Sequence, residues 1–257
     1  MTMQPTRREL MAALAAAAPL AATLADPGLA RAAAAGLEEV SLKTDGGRAV
    51  KAALALPAAQ PAASLMLVHE WWGLNDQIKA VAAECAREGY AALAIDLYGG
   101  HSASEPDRAK ELMQALDPAV ATDTLVSWVG WLRQRPGGTG KVWVMGWCLG
   151  GGWALNASIA TPVDATVIYY GRVDQPADRL ARLKGPVLGH FATRDTFINR
   201  PMVEGFEQAM KEAGRSLTVY WYDADHAFAN PTGARYNEAD AALAWKRTLA
   251  FLRTNLA

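Results

Sequence analysis

Short apolar runs alternate with helix-forming segments along most of this chain of 257 residues. Strands are predicted at Leu65–His69, Ala91–Ile95, Val142–Met145, Ala165–Tyr169, Val187–Phe191 and Leu217–Tyr222. Helices are predicted at about Gln77–Glu88, Asp107–Ala115, Val120–Arg133, Trp153–Ile159, Met202–Ala213 and from Ala234 to the C-terminus. Strands that alternate with helices in this way predict an α/β fold, with a mostly parallel central sheet covered by helices on both faces.

A β-hairpin is predicted ahead of this alternation. Val40–Lys43 and Val50–Leu56 flank the sequence Thr44-Asp45-Gly46-Gly47. An Asp-Gly pair accepts the positive φ angles of a tight turn, so the two runs are expected to pair antiparallel. The chain shows no internal repeat and no sign of a second domain, so residues 33–257 are predicted to form one domain.

Residues 1–32 are predicted to be a removable export signal outside the fold. Thr6–Met11 contains Arg7-Arg8 and resembles a twin-arginine motif, and an apolar stretch follows at Ala12–Ala25. Ala30-Arg31-Ala32 has the small-x-small pattern of a signal peptidase site. The expected location is therefore the periplasm or the exterior, without membrane attachment after cleavage. If the leader is retained instead, the protein is cytoplasmic.

Composition and charge exclude several classes of partner. The formal net charge is −1 and the basic residues are dispersed, so a nucleic-acid partner is not expected. The two cysteines, Cys85 and Cys148, are too few for a disulfide framework, although a single bond between them is possible. Cys85 is predicted to be a buried residue of a helix. A monomer that acts on a small molecule is the expectation.

The sequence Gly146-Trp147-Cys148-Leu149-Gly150-Gly151 lies between a predicted strand and a predicted helix. This order is typical of a nucleophile elbow, with cysteine in the place of serine. The glycines leave room for a tight turn, and the positive end of the following helix should favour the thiolate of Cys148. The alternative is that Cys148 is only a small buried hydrophobic residue.

An elbow nucleophile requires an acid and then a histidine in later loops at the same edge of the sheet. Asp195 follows the predicted strand Val187–Phe191, and His226 follows Leu217–Tyr222. His226 would accept the thiol proton and return it to the leaving group, while Asp195 would hold the imidazole in the useful tautomer. The remaining histidines are predicted to be non-catalytic: His69 and His190 as buried residues of strands, and His101 as a loop residue.

The oxyanion of such a reaction needs two backbone donors. One is expected to be the N–H of Leu149, directly after the nucleophile. The other should come from the loop after the first parallel strand, where Trp71 is the candidate.

Together these motifs resemble the dienelactone hydrolases (carboxymethylenebutenolidases). The resemblance runs from about Val40 to Leu256 and rests on His69–Asn75, Asp96–Tyr98, Gly146–Gly151, Tyr169–Gly171 and His226–Asn230. It implies an α/β-hydrolase fold without a large cap, and a Cys148–His226–Asp195 triad that acts without a cofactor. It also implies that Glu70 lies near the thiol and governs when the thiol ionises.

The chain departs from the family at the substrate carboxylate. Family members grip that group with two arginines, and the position of one of them is Asn230 here. Arg108 does not align cleanly with the other, and Arg172 or Arg194 could substitute for it. Six aromatic residues lie at predicted strand ends, namely Trp71, Trp72, Tyr98, Trp147, Tyr169 and Tyr170. Some of them are expected to line an apolar pocket, with Trp72, Tyr98, Trp147 and Tyr170 as the candidates for substrate binding, while Trp143 is expected in the core.

The function predicted from the sequence is hydrolysis of a small ester or lactone through an acyl-thiol intermediate. A general carboxylesterase or thioesterase is the nearest alternative. A non-catalytic ligand-binding protein is a second alternative, and it would predict a damaged triad. Metal binding by Cys148, His226 and Asp195 is a third, which the absence of close ligand pairs such as Cys-x-x-Cys disfavours.

Overall fold

The computed structural model describes residues 20–255 of the chain. The strands are β1 Glu38–Lys43, β2 Ala49–Ala55, β3 Ala62–Val68, β4 Ala91–Ile95, β5 Gly138–Trp147, β6 Ala165–Tyr169, β7 Val187–Ala192 and β8 Leu217–Tyr222. The helices are α1 Leu20–Ala25, α2 Pro27–Ala34, α3 Asp76–Arg87, α4 Pro106–Ala115, α5 Pro118–Gln134, α6 Leu149–Ala160, α7 Ala177–Leu180, α8 Arg200–Glu212 and α9 Glu238–Thr254.

The strands form one eight-stranded open sheet in the order β1-β2-β4-β3-β5-β6-β7-β8. The pairs β1–β2 and β2–β4 are antiparallel, and every pair from β4–β3 onward is parallel. The hairpin turn is closed by Gly47 at φ 84°. The predicted fold class is therefore confirmed, including the antiparallel pair at the N-terminal edge.

Alternate residues of the central strands point into two different apolar layers, as the pleat of a strand requires. Leu65 and Leu67 of β3 pack in the layer that contains α3 and α9. Met66 and Val68 pack in the opposite layer with α5 and part of α6. Because both faces are covered, the carboxyl ends of the parallel strands are the region where loops can form a site.

Several predicted boundaries shift for identifiable reasons. β4, β6 and β8 have the predicted limits, whereas α6 begins at Leu149 rather than Trp153. The last helix begins at Glu238 rather than Ala234, because Asn237 caps it and accepts from the backbone N–H of Asp240 at 3.1 Å. The residues between are left in a loop beside the site.

Residues 20–32 of the predicted leader, the part that the structure describes, pack against the domain. Leu24 of α1 and Ala30 of α2 are buried in the core layer that contains α3. Arg31 lies 3.7 Å from the carboxylate of Asp76 at the start of α3. The twin-arginine motif lies outside the described residues, and cleavage after Ala32 stays a prediction. Between residues 20 and 255, none of the helices is long and apolar enough to cross a membrane.

Candidate active site

Cys148 stands at the turn between β5 and α6, with a positive φ of 52°. Positive φ is costly for a residue that carries a Cβ atom, so the surroundings must hold the turn in place. The neighbouring glycines permit it. A Cβ atom on Gly146 would lie 2.0 Å from the carbonyl oxygen of Gly150, and one on Gly150 would lie 2.2 Å from that of Val68. The predicted strand–turn–helix geometry is present.

The three residues of the predicted triad are in contact, in the order Cys148, His226, Asp195. The Sγ atom of Cys148 lies 3.2 Å from Nε2 of His226. On the other side of the ring, Nδ1 lies 2.6 Å from Oδ2 of Asp195. A carboxylate only accepts, so Nδ1 carries a proton and Nε2 is free to accept the thiol proton when the imidazole is neutral.

Asp195 is fixed by the backbone beyond β7. Its Oδ1 atom accepts from the N–H of Phe197 at 2.8 Å and from the N–H of Ile198 at 2.9 Å. Burial opposes ionisation of this carboxyl, but the hydrogen bond and charge of His226, together with the two amides, lower its pKa below the ordinary value. Asp195 is therefore a stable anion beside the imidazole.

Two opposing effects act on the thiol of Cys148. Desolvation by burial, followed by the charge of Glu70, raises its pKa to about 12. The N–H of Leu149 and the charge of Arg235 oppose this rise but do not outweigh it. The helix N-terminus therefore favours the thiolate as expected, but burial of the sulfur atom has the larger effect and keeps the thiol dependent on its base.

Glu70 is buried directly after β3, and its Oε2 atom accepts from Nδ2 of Asn230 at 2.5 Å. Asn230 is itself held, because its Oδ1 atom accepts from the N–H of Thr232 at 3.0 Å. Burial raises the pKa of Glu70, and the hydrogen bond from Asn230 only partly offsets it. Asn230 is thus a neutral partner of the carboxylate that neighbours the thiol.

The two predicted oxyanion donors come from different parts of the chain. Leu149 is the first residue of α6, and its N–H interacts with the thiol. Trp71 follows Glu70 in the turn after β3, and its ring packs edge-on against Trp72 at 4.9 Å. Both tryptophans are partly exposed.

The other predicted binding residues divide into buried and exposed groups. Tyr98 and Trp147 are almost fully buried, and the ring of Trp147 stacks on Tyr169 at 5.5 Å. Tyr170 has no exposed surface, and its ring lies 5.3 Å from that of His226. Arg172 is exposed and its guanidinium pairs with Asp174 at 2.6 Å, so no contact brings it to the triad.

The remaining arginine candidates are engaged at the surface. Arg194 is exposed, and its guanidinium pairs with Asp223 and lies 3.4 Å from Asp225. Arg108 lies on α4 and pairs with Glu111 at 2.8 Å.

Two residues near the triad were missed in the sequence. Phe197 is 65% exposed, and its ring lies 5.5 Å from that of His226. Its place two residues after Asp195 was the available signal. Arg235 is exposed in the loop before α9, and its charge lowers the pKa of Cys148. It lines a cavity of about 670 Å³ together with Arg194 and Tyr236. Nothing local in the sequence marks Arg235, because its approach to Cys148 depends on the path of that loop.

The predicted structural roles of other residues are confirmed. His69 is buried, with Nδ1 2.6 Å from the carbonyl oxygen of Glu70. Cys85 is a buried free thiol on α3, and Trp143 is fully buried in β5. Within residues 20–255, no group of three histidine, cysteine or acidic side chains is placed to hold a metal ion.

The eight-stranded sheet and the turn at Cys148 define the class as an α/β-hydrolase, and sequence comparison defines the family. The dienelactone hydrolase family model matches residues 50–256, so the chain belongs to the dienelactone hydrolase family. It is accordingly a hydrolase that acts on ester or lactone bonds.

A carboxymethylenebutenolidase of Pseudomonas putida is 31% identical over 230 residues, which cover 84% of this chain and 95% of that protein. A carboxymethylenebutenolidase of Pseudomonas knackmussii gives the same identity and coverage. A solved structure from Klebsiella pneumoniae, described provisionally as a dienelactone hydrolase, is 27% identical with a TM-score of 0.75. That match covers 83% of this chain and 96% of the other.

Proposed function

We propose that this protein is a cysteine-dependent hydrolase that cleaves a small ester or lactone through an acyl-thiol intermediate on Cys148. The observation that carries the proposal is the line of contacts from Sγ to Nε2 at 3.2 Å and from Nδ1 to the carboxylate of Asp195 at 2.6 Å. A nucleophile that touches a base, itself oriented by a third group, is the arrangement that nucleophilic catalysis requires.

In the acylation step, Nε2 of His226 takes the proton from Cys148 as Sγ attacks the substrate carbonyl carbon. The negative charge that develops on the carbonyl oxygen is stabilised by the N–H groups of Leu149 and Trp71. The tetrahedral intermediate then collapses, the bond to the leaving oxygen breaks, and the imidazolium returns its proton to that oxygen. Asp195 stabilises the imidazolium throughout.

In the deacylation step, a water molecule gives its proton to Nε2 of His226 and its oxygen attacks the thioester carbon. The carbon–sulfur bond breaks and Cys148 regains its proton from the imidazolium. The products are a carboxylic acid and an alcohol, or a single ring-opened acid when the substrate is a lactone. The cycle needs no metal ion or redox cofactor.

Glu70 is proposed to control when the thiol ionises. Its charge and the burial of the site raise the pKa of Cys148, which keeps the resting sulfur protonated. A protonated thiol is protected from oxidation and from side reactions. A substrate that reaches the site shifts this balance by displacing or neutralising the carboxylate.

The lining of the site favours a small, largely apolar substrate. The ring of Phe197 is exposed and lies 5.5 Å from that of His226, and Trp71 and Trp72 follow Glu70 in the chain with part of their surface exposed. Asn230 is engaged with Glu70 and carries no charge to bind a substrate carboxylate. This observation favours the second candidate, a general carboxylesterase or thioesterase.

The Cys148→Ala variant tests the mechanism. We expect hydrolysis of an activated aryl ester to fall to background, while the far-ultraviolet circular dichroism stays that of the wild type. Cys85→Ala is the matched control, because it removes the other free thiol of the chain from α3 and should leave kcat/KM unchanged. Mass spectrometry of the quenched wild-type reaction should show the acyl group on Cys148. Hydrolysis that persists in Cys148→Ala would overturn the proposal.

A substrate panel decides between the two candidate functions. Lactones, p-nitrophenyl esters and acyl thioesters of matched size would be compared by kcat/KM. A preference for lactones supports the lactonase, and equal or greater rates on open-chain substrates support the general esterase.

We also propose that the protein is exported through the twin-arginine route, cleaved after Ala32, and active as a monomer. N-terminal sequencing of protein recovered from the periplasm of an expressing cell should begin at Ala33. The same protein should sediment as a single monomeric species. Recovery of the intact N-terminus in the cytoplasmic fraction would contradict export.

A further inference from the structure

Tyr170 has an unusual backbone conformation directly beyond the end of β6. Its φ is 38°, in the left-handed region that a residue with a Cβ atom rarely occupies. The conformation is held by a hydrogen bond of 2.8 Å from its N–H to the carbonyl oxygen of His190. The next residue, Gly171, is pressed against α6, since a Cβ atom there would lie 2.5 Å from the carbonyl carbon of Gly151.

This backbone places the tyrosine ring beneath the catalytic residues rather than at the pocket surface. The ring is fully buried, with its centroid 5.3 Å from that of His226 and 5.4 Å from that of Phe228. Strained backbone that persists at a site is a reason to look for a role of the side chain. A side chain without exposed surface acts on its protein neighbours.

The hydroxyl of Tyr170 and the Oε1 atom of Glu70 are both buried and both without a well-formed hydrogen bond to a described residue. Buried polar atoms are nearly always paired, so two of them side by side need an explanation. They are close enough to interact, because the phenol lowers the pKa of the Glu70 carboxyl. Burial raises the pKa of Tyr170 well above its ordinary value, so the phenol remains a donor.

The charged and titratable groups around Glu70 come from several elements. Asn230 donates to its other oxygen, and His226 acts on it through charge. The charge of Glu70 in turn acts on Cys148. The buried ring of His69 contacts the backbone carbonyl oxygen of Glu70 at 2.6 Å and lies 4.9 Å from the ring of Tyr98. Asp195 and Arg235 act on the same thiol from farther away. Among these groups, Asn230 and Tyr170 are the side chains that act on the carboxyl of Glu70 as hydrogen-bond donors, and Asn230 is already engaged with Oε2.

We propose that Tyr170 is a positioning residue, whose hydroxyl donates to Oε1 of Glu70 while Asn230 donates to Oε2, so that the carboxylate is held from both sides beside the thiol. The inference rests on the proposed function, because it concerns the group that controls Cys148. Two donors stabilise the ionised form of a buried carboxyl and restrict its rotation. The left-handed backbone is the cost of bringing the phenol to that point.

The Tyr170→Phe variant tests this role through the titration of Glu70 itself. The carboxyl would be followed by infrared spectroscopy with isotope-labelled glutamate, and its band identified by loss in Glu70→Gln. Loss of the phenolic donor should raise the pKa of Glu70 by about one unit, since a hydrogen bond to a charged group is removed.

Tyr90→Phe is the matched control, because Tyr90 is a buried tyrosine that packs against Trp143 in the core. It should leave the Glu70 band unchanged. An unchanged Glu70 titration in folded Tyr170→Phe would overturn the inference. If that variant does not fold, the ring-carbon resonance of labelled Tyr170 in the wild type should shift as Glu70 titrates. The absence of that shift would overturn the inference equally.

The outcome separates this inference from the proposed function. Activity that persists in Cys148→Ala removes the cysteine mechanism whatever Tyr170 does. If Cys148→Ala is inactive but the pKa of Glu70 does not change in Tyr170→Phe, the cysteine mechanism stands and the positioning role of Tyr170 is overturned.

Discussion

Two histidines at neighbouring strands of this sheet have opposite surroundings. His190 lies within β7 and is fully buried, with Nδ1 2.8 Å from the hydroxyl of Tyr222 and Nε2 3.0 Å from that of Thr248. His226 lies beyond β8, with Asp195 on one nitrogen and the thiol of Cys148 on the other. Both rings are fixed at both nitrogens, so orientation alone does not distinguish them.

The difference lies in the charge that each set of partners can support. Burial, followed by the charge of Arg247, lowers the pKa of His190 to about 3. Its two hydroxyl partners carry no negative charge that could stabilise the protonated ring. His226 faces a carboxylate that can stabilise an imidazolium. A histidine becomes a base in this fold because an anion stands behind it, and it becomes a structural residue when only hydroxyls do.

The largest effect is expected from His226→Gln, which removes the base and leaves the rest of the site. The value of kcat/KM should fall by about 10³-fold or more, as for other members of catalytic triads. His101→Gln is the control, because His101 is an exposed loop residue. A steady-state assay with an aryl ester measures both. A loss below tenfold in His226→Gln would show that the two histidines differ less than their partners suggest.

A second large effect is expected from Asp195→Asn. This substitution replaces the charged partner of His226 by an uncharged one, so that His226, like His190, has only neutral partners. An amide favours the wrong imidazole tautomer, so kcat should fall by about 10²- to 10⁴-fold. The amide side chain can still accept from the N–H of Phe197, so the loop should remain folded. Kinetics and thermal unfolding of the same sample check the two statements.

Asp195 also makes a pH-dependent contribution to stability with a definite sign. Its folded pKa is lowered, so the contribution is complete above the ordinary carboxyl pKa and is lost as the pH falls through the folded value. We therefore expect the free energy of unfolding to fall more steeply below about pH 4 in the wild type than in Asp195→Asn. Urea unfolding across that range measures the difference, and parallel curves would contradict it.

A moderate effect on stability, with little effect on activity, is expected from His190→Leu. The substitution leaves the buried hydroxyl of Tyr222 without its imidazole partner. The cost should be about 2 kcal/mol in the free energy of unfolding, as for a buried polar group left unpaired. The value of kcat/KM per folded molecule should stay within about threefold of the wild type. A selective loss of kcat would place His190 in the chemistry.

The smallest effect is expected from Tyr169→Phe in the same hydroxyl network. The Tyr169 hydroxyl lies 2.7 Å from that of Thr248, which also contacts His190. Removing it should cost about 1 kcal/mol, since Thr248 keeps a partner. Chemical denaturation measures this loss in the free energy of unfolding. A loss as large as that of His190→Leu would show that the Tyr169 hydroxyl, rather than His190, contributes most to the network.

Much of the fold could be predicted because the sheet is buried on both faces. β4, β6 and β8 are apolar runs with sharp ends, and their predicted limits match the structure. The start of α6 was missed, because Gly150, Gly151 and Gly152 lower the helix propensity of its first turn. Glycine is required there by close packing and not by helix propensity. A Cβ atom on Gly151, for example, would lie 2.8 Å from the Cα atom of Gly171.

At the site, the order of the chain predicted which residues would meet, but it did not predict their electrostatics. Asp195 and His226 were found because parallel strands deliver their following loops to one edge. The bond between Glu70 and Asn230 joins residues 160 positions apart, and no local pattern encodes it. Likewise, the raised pKa of Cys148 depends on how much water the assembled loops exclude.

The position of α2 has a consequence for the predicted cleavage of the leader. The predicted cleavage site includes Ala30, which is buried inside this helix against the domain. A peptidase binds its substrate as an extended strand, so α2 must detach and unwind before it can be cut. The rate of cleavage would then depend on how often α2 opens locally in a precursor that is already folded. Substitutions that strengthen the contact between α2 and α3 would lengthen the half-time of cleavage.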